Sequence, residues 1–396
     1  MKVLISGGGI AGPTVAYWLA HYGFECTIVE KSPQLRTGGY VIDFWGLGFD
    51  VAERMGLLPG IRSKAYRVRE VRVVDRAGKR VAGFPADAFS RVTEGRYVSL
   101  PRSELAALIY GAIQARVETI FGDSLREIVQ TSRCVQVTFE SGAKRDFDLV
   151  VGADGLHSRV RELVFGAETR FEKYLGFMAA AFQVPGYRPR DELVYVMYTE
   201  VGQQVARFAL HDDRTMFLFT FADEDRHPAL SADVHAQKTL LHARFRNSGW
   251  ECPKILEALE SCNDIYFDRV SQIRMNGEPG LWTQGRVTLI GDAASCVSLL
   301  AGQGTALAMA AAYILAGELY RAAGDYTMAF RRYQQTFGPF IWAKQTAALR
   351  FAGVFAPKSK LSMFLRNQIM NLLTVPWVAD LSFARDFKDK LPLPEY

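Results

Sequence analysis

Three short glycine-containing stretches hold the residues whose type and spacing could do chemistry. Near the N-terminus, Gly7, Gly9 and Gly12 stand in G-x-G-x-x-G spacing within "VLISGGGIAGP". The first glycine permits a tight turn, the second lets backbone approach a pyrophosphate, and the third lets a helix pack on a strand. Glu30 follows 18 residues after Gly12, where a carboxylate can accept hydrogen bonds from ribose hydroxyls and repel a 2′-phosphate. Further along, Gly152, Asp154 and Gly155 form a second stretch, and Gly291-Asp292 with Gly302-Gln303-Gly304 a third. The chemistry these residues suit is the binding of a dinucleotide, and the first loop alone leaves open which one.

The elements that must position these residues can be read from the apolar pattern. Val3–Ile5 is a short apolar run fit for a buried parallel strand, Ala11–Tyr22 a helix whose N-terminal amides and dipole face an anion, and Cys26–Val29 a second strand. Strands over Phe147–Val151 and Val287–Ile290 each end in glycine plus aspartate, placing carboxylates within reach of a cofactor's hydroxyls. Residues 191–222 alternate apolar and polar side chains around turn signals and predict an antiparallel sheet. Phe171–Pro185 and Asp264–Met275 add strands, and Val234–Phe245 a helix. Aromatic residues are frequent there, and Phe208 and Phe219 are the candidates for a substrate pocket.

Between Asp292 and Glu318 lie 25 residues with no Lys, Arg, Asp, Glu or His. Their length could span a membrane of about 30 Å. Asp292 at a strand end and glycines at 302 and 304 argue instead for a loop feeding a buried, alanine-rich helix from Thr305.

Taken together, the three stretches resemble the class A flavoprotein monooxygenases, the para-hydroxybenzoate-hydroxylase-like family, over residues 1 to about 340. Residues 38–58, "GGYVIDFWGLGFDVAERMGLL", look most like the tetracycline-inactivating members, which brings antibiotic resistance into view. The resemblance implies bound FAD, transient NADPH or NADH, O2, and a small aromatic or polycyclic substrate hydroxylated through a flavin C4a-hydroperoxide. The flavin carries the chemistry, so no residue is assigned catalysis. It implies cofactor contacts from Gly7, Gly9, Ile10, Ala11, Gly12, Glu30, Lys31, Arg36, Arg102 (the arginine of R-x-x-L), Asp154, Asp292, Gly302, Gln303, Gly304 and Thr305. Leu299 joins Phe208 and Phe219 as a substrate candidate, and the 302–304 loop is expected beside the isoalloxazine.

The implied fold is α/β: a Rossmann-like, GR2-type FAD-binding domain from residues 1–70, 95–170 and 277–344, an inserted antiparallel-sheet substrate domain from 71–94 and 171–276, and a helical tail from 345–396. Two departures bear on function. Ser295 and Leu299 stand where the family usually has histidine and proline, and Ala310–Ala312 where it often has an aspartate. The first keeps in play a flavin oxidoreductase that inserts no oxygen; a flavin-loaded binding or sequestering protein is the third reading.

Bulk properties narrow the field. A net charge of +5 with scattered Lys and Arg gives no nucleic-acid footprint. Five cysteines without CxxC or Cys/His spacing predict reduced thiols, no metal centre and a cytoplasmic location. A monomer or dimer is expected. The tail is expected to pack across both domains and cover the substrate entrance; a peripheral membrane helix is its other reading. His157, close behind the second stretch, reads as loop packing.

Overall fold

The computed structural model describes residues 1–36, 40–223, 233–275, 281–355, 357–380 and 391–396. Five parallel strands run in the order Glu118–Phe121, Glu25–Glu30, Lys2–Ser6, Leu149–Gly152 and Val287–Leu289, with Thr283–Gln284 antiparallel at one edge. Val3, Leu4, Ile5, Ile28, Val150, Val151 and Val287 are fully buried, as apolar runs in a sheet covered on both faces must be. The register pairs Ser6 with Gly152 and Gly152 with Leu289. The three strands therefore end level, and the three glycine stretches leave the same sheet edge side by side. A three-stranded antiparallel sheet (Leu125–Gln130, Val135–Phe139, Lys144–Phe147) forms the connection between two of the parallel strands.

The uncharged run becomes the short helix Asp292–Ser295, a 3-10 turn Leu299–Ala301, and the helix Gly304–Arg321. Every side chain from Ala306 to Leu319 on that helix is buried. Among the described residues no helix is long and apolar enough to cross a membrane. Ala310, Ala311 and Ala312 are wholly enclosed, so alanine at those positions serves close helix packing.

A second sheet of seven strands draws Glu70–Val74 and Arg80–Pro85 from early in the chain and its other strands from between Glu172 and Ile273. It is antiparallel except where Val194–Glu200 runs parallel to Glu70–Val74, the seam between the two chain segments. One face carries Phe182, Phe217, Phe219 and Phe221 under the helices Val234–Phe245 and Cys252–Glu260. The other face turns toward the nucleotide-binding domain: Tyr66 bridges to Ser99, and Leu299 packs among Phe177, Val270 and Tyr266.

The tail boundary expected at 345 falls inside one continuous helix, Tyr326–Phe355, despite Pro339 within it. A further helix, Lys360–Leu372, lies on the second sheet. It starts with a Ser359 capping box, and Pro376 stands at the head of the next helical stretch, 376–380. Residues 391–396 return to the nucleotide-binding domain. Arg54 Nη1 donates to Pro394 O at 2.9 Å, Arg321 Nη2 to Glu395 O at 2.6 Å, and Tyr396 OH to Glu318 Oε1 at 2.9 Å.

Candidate active site

The first glycine loop separates into glycines that serve the protein and one that leaves space. A Cβ on Gly12 would lie 1.9 Å from Gly7 O, and one on Gly7 would lie 2.5 Å from Ala153 O. These two hold loop, helix and second stretch together. On Gly9 the only atom within 4 Å is Arg102 Nη2, at 3.5 Å. Arg102 opens the helix Arg102–Gly111, and its guanidinium makes no hydrogen bond or ion pair among the described residues. An open glycine under an unpartnered arginine, at the head of the helix Ala11–His21, has the open backbone and the cation that a pyrophosphate cradle requires. Ile10 and Ala11 are buried at that helix start.

Glu30 reaches back under the loop, accepting from Gly8 N at 2.7 Å and from Ser32 N at 2.9 Å. Lys31 and Arg36 are exposed, and Arg36 Nε donates to Ser32 Oγ at 3.0 Å, so neither joins the cradle. Gly38 and Gly39, which follow Arg36, lie outside the described residues.

Asp154 is occupied by its own surroundings. It accepts from Ser158 Oγ at 2.5 Å, Arg159 N at 2.8 Å and Val160 N at 3.0 Å. Burial pushes its carboxyl above the usual range, against these hydrogen bonds. In this arrangement Asp154 fixes the loop that packs on Gly7 and shapes the site from behind.

Asp292 and the 302–304 loop face one another. A Cβ on Gly304 would lie 3.6 Å from Asp292 Oδ1, and a small cavity between them is lined by Gly291, Ser295 and Leu307. Burial pushes the Asp292 carboxyl up, while Arg102 pulls it down. Gln303 is the N-cap of the helix Gly304–Arg321, and no side chain caps it. Its first amides, Thr305 N among them, thus lack intrahelical acceptors and present partial positive charge. Gly302, at φ +66, makes the left-handed turn before it and sits over the Trp45 ring.

Beyond that loop the two domains meet. Tyr40, Asp43, Tyr97, Tyr195 and Tyr266 stand there, each half-buried. Tyr40 and Tyr266 meet edge to face at 5.4 Å. Asp43 Oδ1 accepts from Tyr97 OH at 2.6 Å and Ser99 Oγ at 2.5 Å, whereas Oδ2 receives no hydrogen bond among the described residues. Burial pushes the Asp43 carboxyl up, opposed by those two hydroxyls.

A model of the FAD-binding domain matches residues 1–325. The chain belongs to the class A FAD-dependent monooxygenases. It is 40% identical to the Mycobacterium tuberculosis protein Rv1260 over 347 residues, 87% of this chain and 91% of that one. It is 33% identical to a flavin-dependent monooxygenase of an unknown prokaryotic organism over 399 residues, covering 100% of this chain and 99% of the other. The crystal structure of tetracycline destructase Tet(51) superposes with a TM-score of 0.84 at 31% identity, covering 100% of this chain and 99% of that one.

Within this monooxygenase the sequence-derived substrate candidates lie in different places. Leu299 is half-buried at the turn between Asp292 and Gly302, against Tyr266 and Val270. Phe208 is on the face of the sheet toward the other domain, fully buried among Tyr66, Leu210 and Met216 and stacked at 4.3 Å on Tyr195. Phe219 is on the far face, 4.8 Å from Phe245, so the expectation that it lines a pocket gives way to a core position under a helix. The two residues of the first departure are accommodated locally. Ser295 is buried, and Leu299 takes the first position of the 3-10 turn, where proline is welcome but not required.

His157 does more than pack. Its Nδ1 lies 3.0 Å from Glu168 Oε1 and its Nε2 3.1 Å from Asp268 Oδ2, tying the Asp154 loop to the second sheet. Hydrogen bonds to Asp268, then Glu168, push its pKa up to about 10. The unfolded chain releases that proton near the ordinary value of about 6.5. The folded form therefore holds an extra proton between about pH 6.5 and pH 10, and the stabilisation is lost as pH rises through that window. The side chain is 44% exposed, and screening brings the contribution to about 1 kcal/mol. Denaturant unfolding of wild type and His157→Gln across this range should show the steeper loss in wild type; parallel pH profiles would remove the link.

Proposed function

We propose that this flavoenzyme consumes NADH or NADPH and O2 to hydroxylate a polycyclic or aromatic small molecule bearing a hydroxyl or other hydrogen-bond donor. What supports this reading is the row of neighbours from Gly9 and Arg102, past Asp292 and the 302–304 loop, to the half-buried Tyr40, Tyr97, Tyr195 and Tyr266, which on this reading line a cleft with Asp43 at its wall. The likeness to tetracycline destructase Tet(51) supports a polycyclic substrate.

The residues present fit FAD. Arg102 and the open backbone at Gly9 would hold the pyrophosphate, Glu30 the ribose, and Asp292 the ribityl hydroxyls. The amides opening the helix Gly304–Arg321 would stabilise negative charge on the reduced ring. When bound, the flavin supplies the redox chemistry and the transfer of oxygen. The chain's own part is to orient and to exclude water. Trp45, Tyr40, Tyr266 and Leu299 wall the recess with apolar surface, and Asp43 Oδ2 accepts a hydrogen bond from the substrate.

NADPH and NADH oxidation, with and without a panel of phenolic and tetracycline-like compounds, tests the reading. Substrate-stimulated oxidation with a product heavier by one oxygen atom is expected. Stimulated turnover without added oxygen would assign a flavin oxidoreductase instead, and ligand binding with silent nicotinamide oxidation a sequestering protein.

A further inference from the structure

The outward face of the helix Lys360–Leu372 is apolar. Leu361, Phe364, Leu365, Ile369 and Leu372 are 52–67% exposed, and Trp377 just beyond is 70% exposed. Positions 361, 364, 365, 369 and 372 fall on one helical stripe. The side against the protein mixes Met363, Met370 and Leu373 with Arg366, which is buried with Nη1 3.3 Å from Thr199 Oγ1, and Asn371, whose Nδ2 donates to Val81 O at 3.3 Å. The helix is thus apolar on its outward face as well as its covered one, where a surface helix ordinarily turns polar residues outward. A contiguous exposed patch of this kind marks an interaction surface.

Charge narrows the partner. From Tyr326 to Ala379 the chain has no Asp or Glu and seven Lys or Arg. Lys358 and Lys360, at the head of the helix, are exposed and form no ion pair among the described residues. A two-fold contact with a second copy would set this acid-free segment against itself. A bilayer with anionic headgroups offers the opposite charge, hydrocarbon for the stripe, and an interfacial zone suited to Trp377.

We propose that the face formed by the helix Lys360–Leu372 and Trp377 docks on an anionic lipid bilayer. The helix lies in the membrane interface, with Lys358 and Lys360 at the headgroups. It does not span the membrane, and the second sheet rides just above the lipid.

The test is co-sedimentation of the flavin-loaded full chain with vesicles of phosphatidylcholine alone and of phosphatidylcholine mixed with phosphatidylglycerol. Binding to the mixed vesicles is expected, falling by about tenfold when Lys358→Glu and Lys360→Glu are combined. Phe364→Glu with Ile369→Glu should abolish it while flavin content and unfolding temperature stay unchanged, separating lost docking from lost folding. Absence of wild-type sedimentation, or equal sedimentation of the variants, overturns the proposal. If wild type instead self-associates without binding lipid, and Phe364→Glu with Ile369→Glu prevents it, the face belongs to a second copy. If that variant lowers the unfolding temperature without affecting lipid binding, the face is covered by another part of this chain, and the proposal also fails.

Discussion

Gly9→Ala is expected to fold with its cofactor-free stability unchanged and to purify without flavin, whereas Gly12→Ala is expected to lose the loop itself. The two glycines are three residues apart and meet different neighbours. A methyl on Gly9 finds only the end of the Arg102 side chain, at 3.5 Å, and so costs the protein little. It would occupy the space in which a pyrophosphate approaches the backbone. A methyl on Gly12 would sit 1.9 Å from Gly7 O, far inside contact distance, and the atom it meets is backbone that cannot rotate away. Overpacking of this severity costs about 3 kcal/mol or more, and the displaced segment bears on Ala153 and the Asp154 loop. Visible absorption of the purified proteins and their unfolding temperatures without FAD separate the two. Should Gly9→Ala retain flavin at wild-type occupancy, the pyrophosphate does not lie over Gly9.

Asp43→Asn is expected to keep flavin and fold while kcat/KM for a donor-bearing substrate falls by roughly 10- to 100-fold. That range corresponds to a charge-assisted hydrogen bond of about 1.5–3 kcal/mol. Asparagine has the same shape and retains one oxygen for Tyr97 and Ser99, so the recess keeps its walls. What it removes is the charged acceptor at Oδ2. Comparing a substrate with its O-methyl counterpart completes the test: wild type should favour the free hydroxyl, and the variant should discriminate far less. Unchanged kcat/KM for both compounds in the variant would take Asp43 out of the substrate site.

The parts of the molecule readable from sequence are those governed by local backbone demands. Gly7, Gly12 and Gly302 stand where a turn or a close approach forbids a side chain, and Val3–Ile5 with Val287, Leu289 and Ile290 are apolar because the sheet is covered twice. The uncharged stretch before Glu318 was ambiguous in length and clear in composition: alanines and glycines pack against other helices. Asp43 was not readable, because what makes it distinctive is set across a strand pair by Ser99 and Tyr97, 56 and 54 residues away. Strand periodicity does put Val41, Asp43 and Trp45 on one face, which was the available signal. For Phe208 and Phe219 the alternation separates the two faces of the sheet. Which face meets the cleft depends on where the helices Val234–Phe245 and Cys252–Glu260 settle, a matter of tertiary packing. Asp154 shows the converse: its motif was visible, but its carboxylate is taken up by Ser158 and two backbone amides.

Tyr396, held by Glu318 and lying against Gly317, changes what the tail is mechanically. The helix Tyr326–Phe355 and residues 391–396 both sit on the nucleotide-binding side, while the helix Lys360–Leu372 lies on the second sheet, so the covalent chain closes a loop between them. Closing such a loop costs entropy that grows only slowly with its length. In return the second sheet is belted in place by a link separate from the strands that join the domains. Force applied at the helix Lys360–Leu372 would therefore be carried to the helices Leu47–Arg54 and Gly304–Arg321 through Arg54, Arg321 and Glu318. Gly304–Arg321 is the helix that opens at the 302–304 loop.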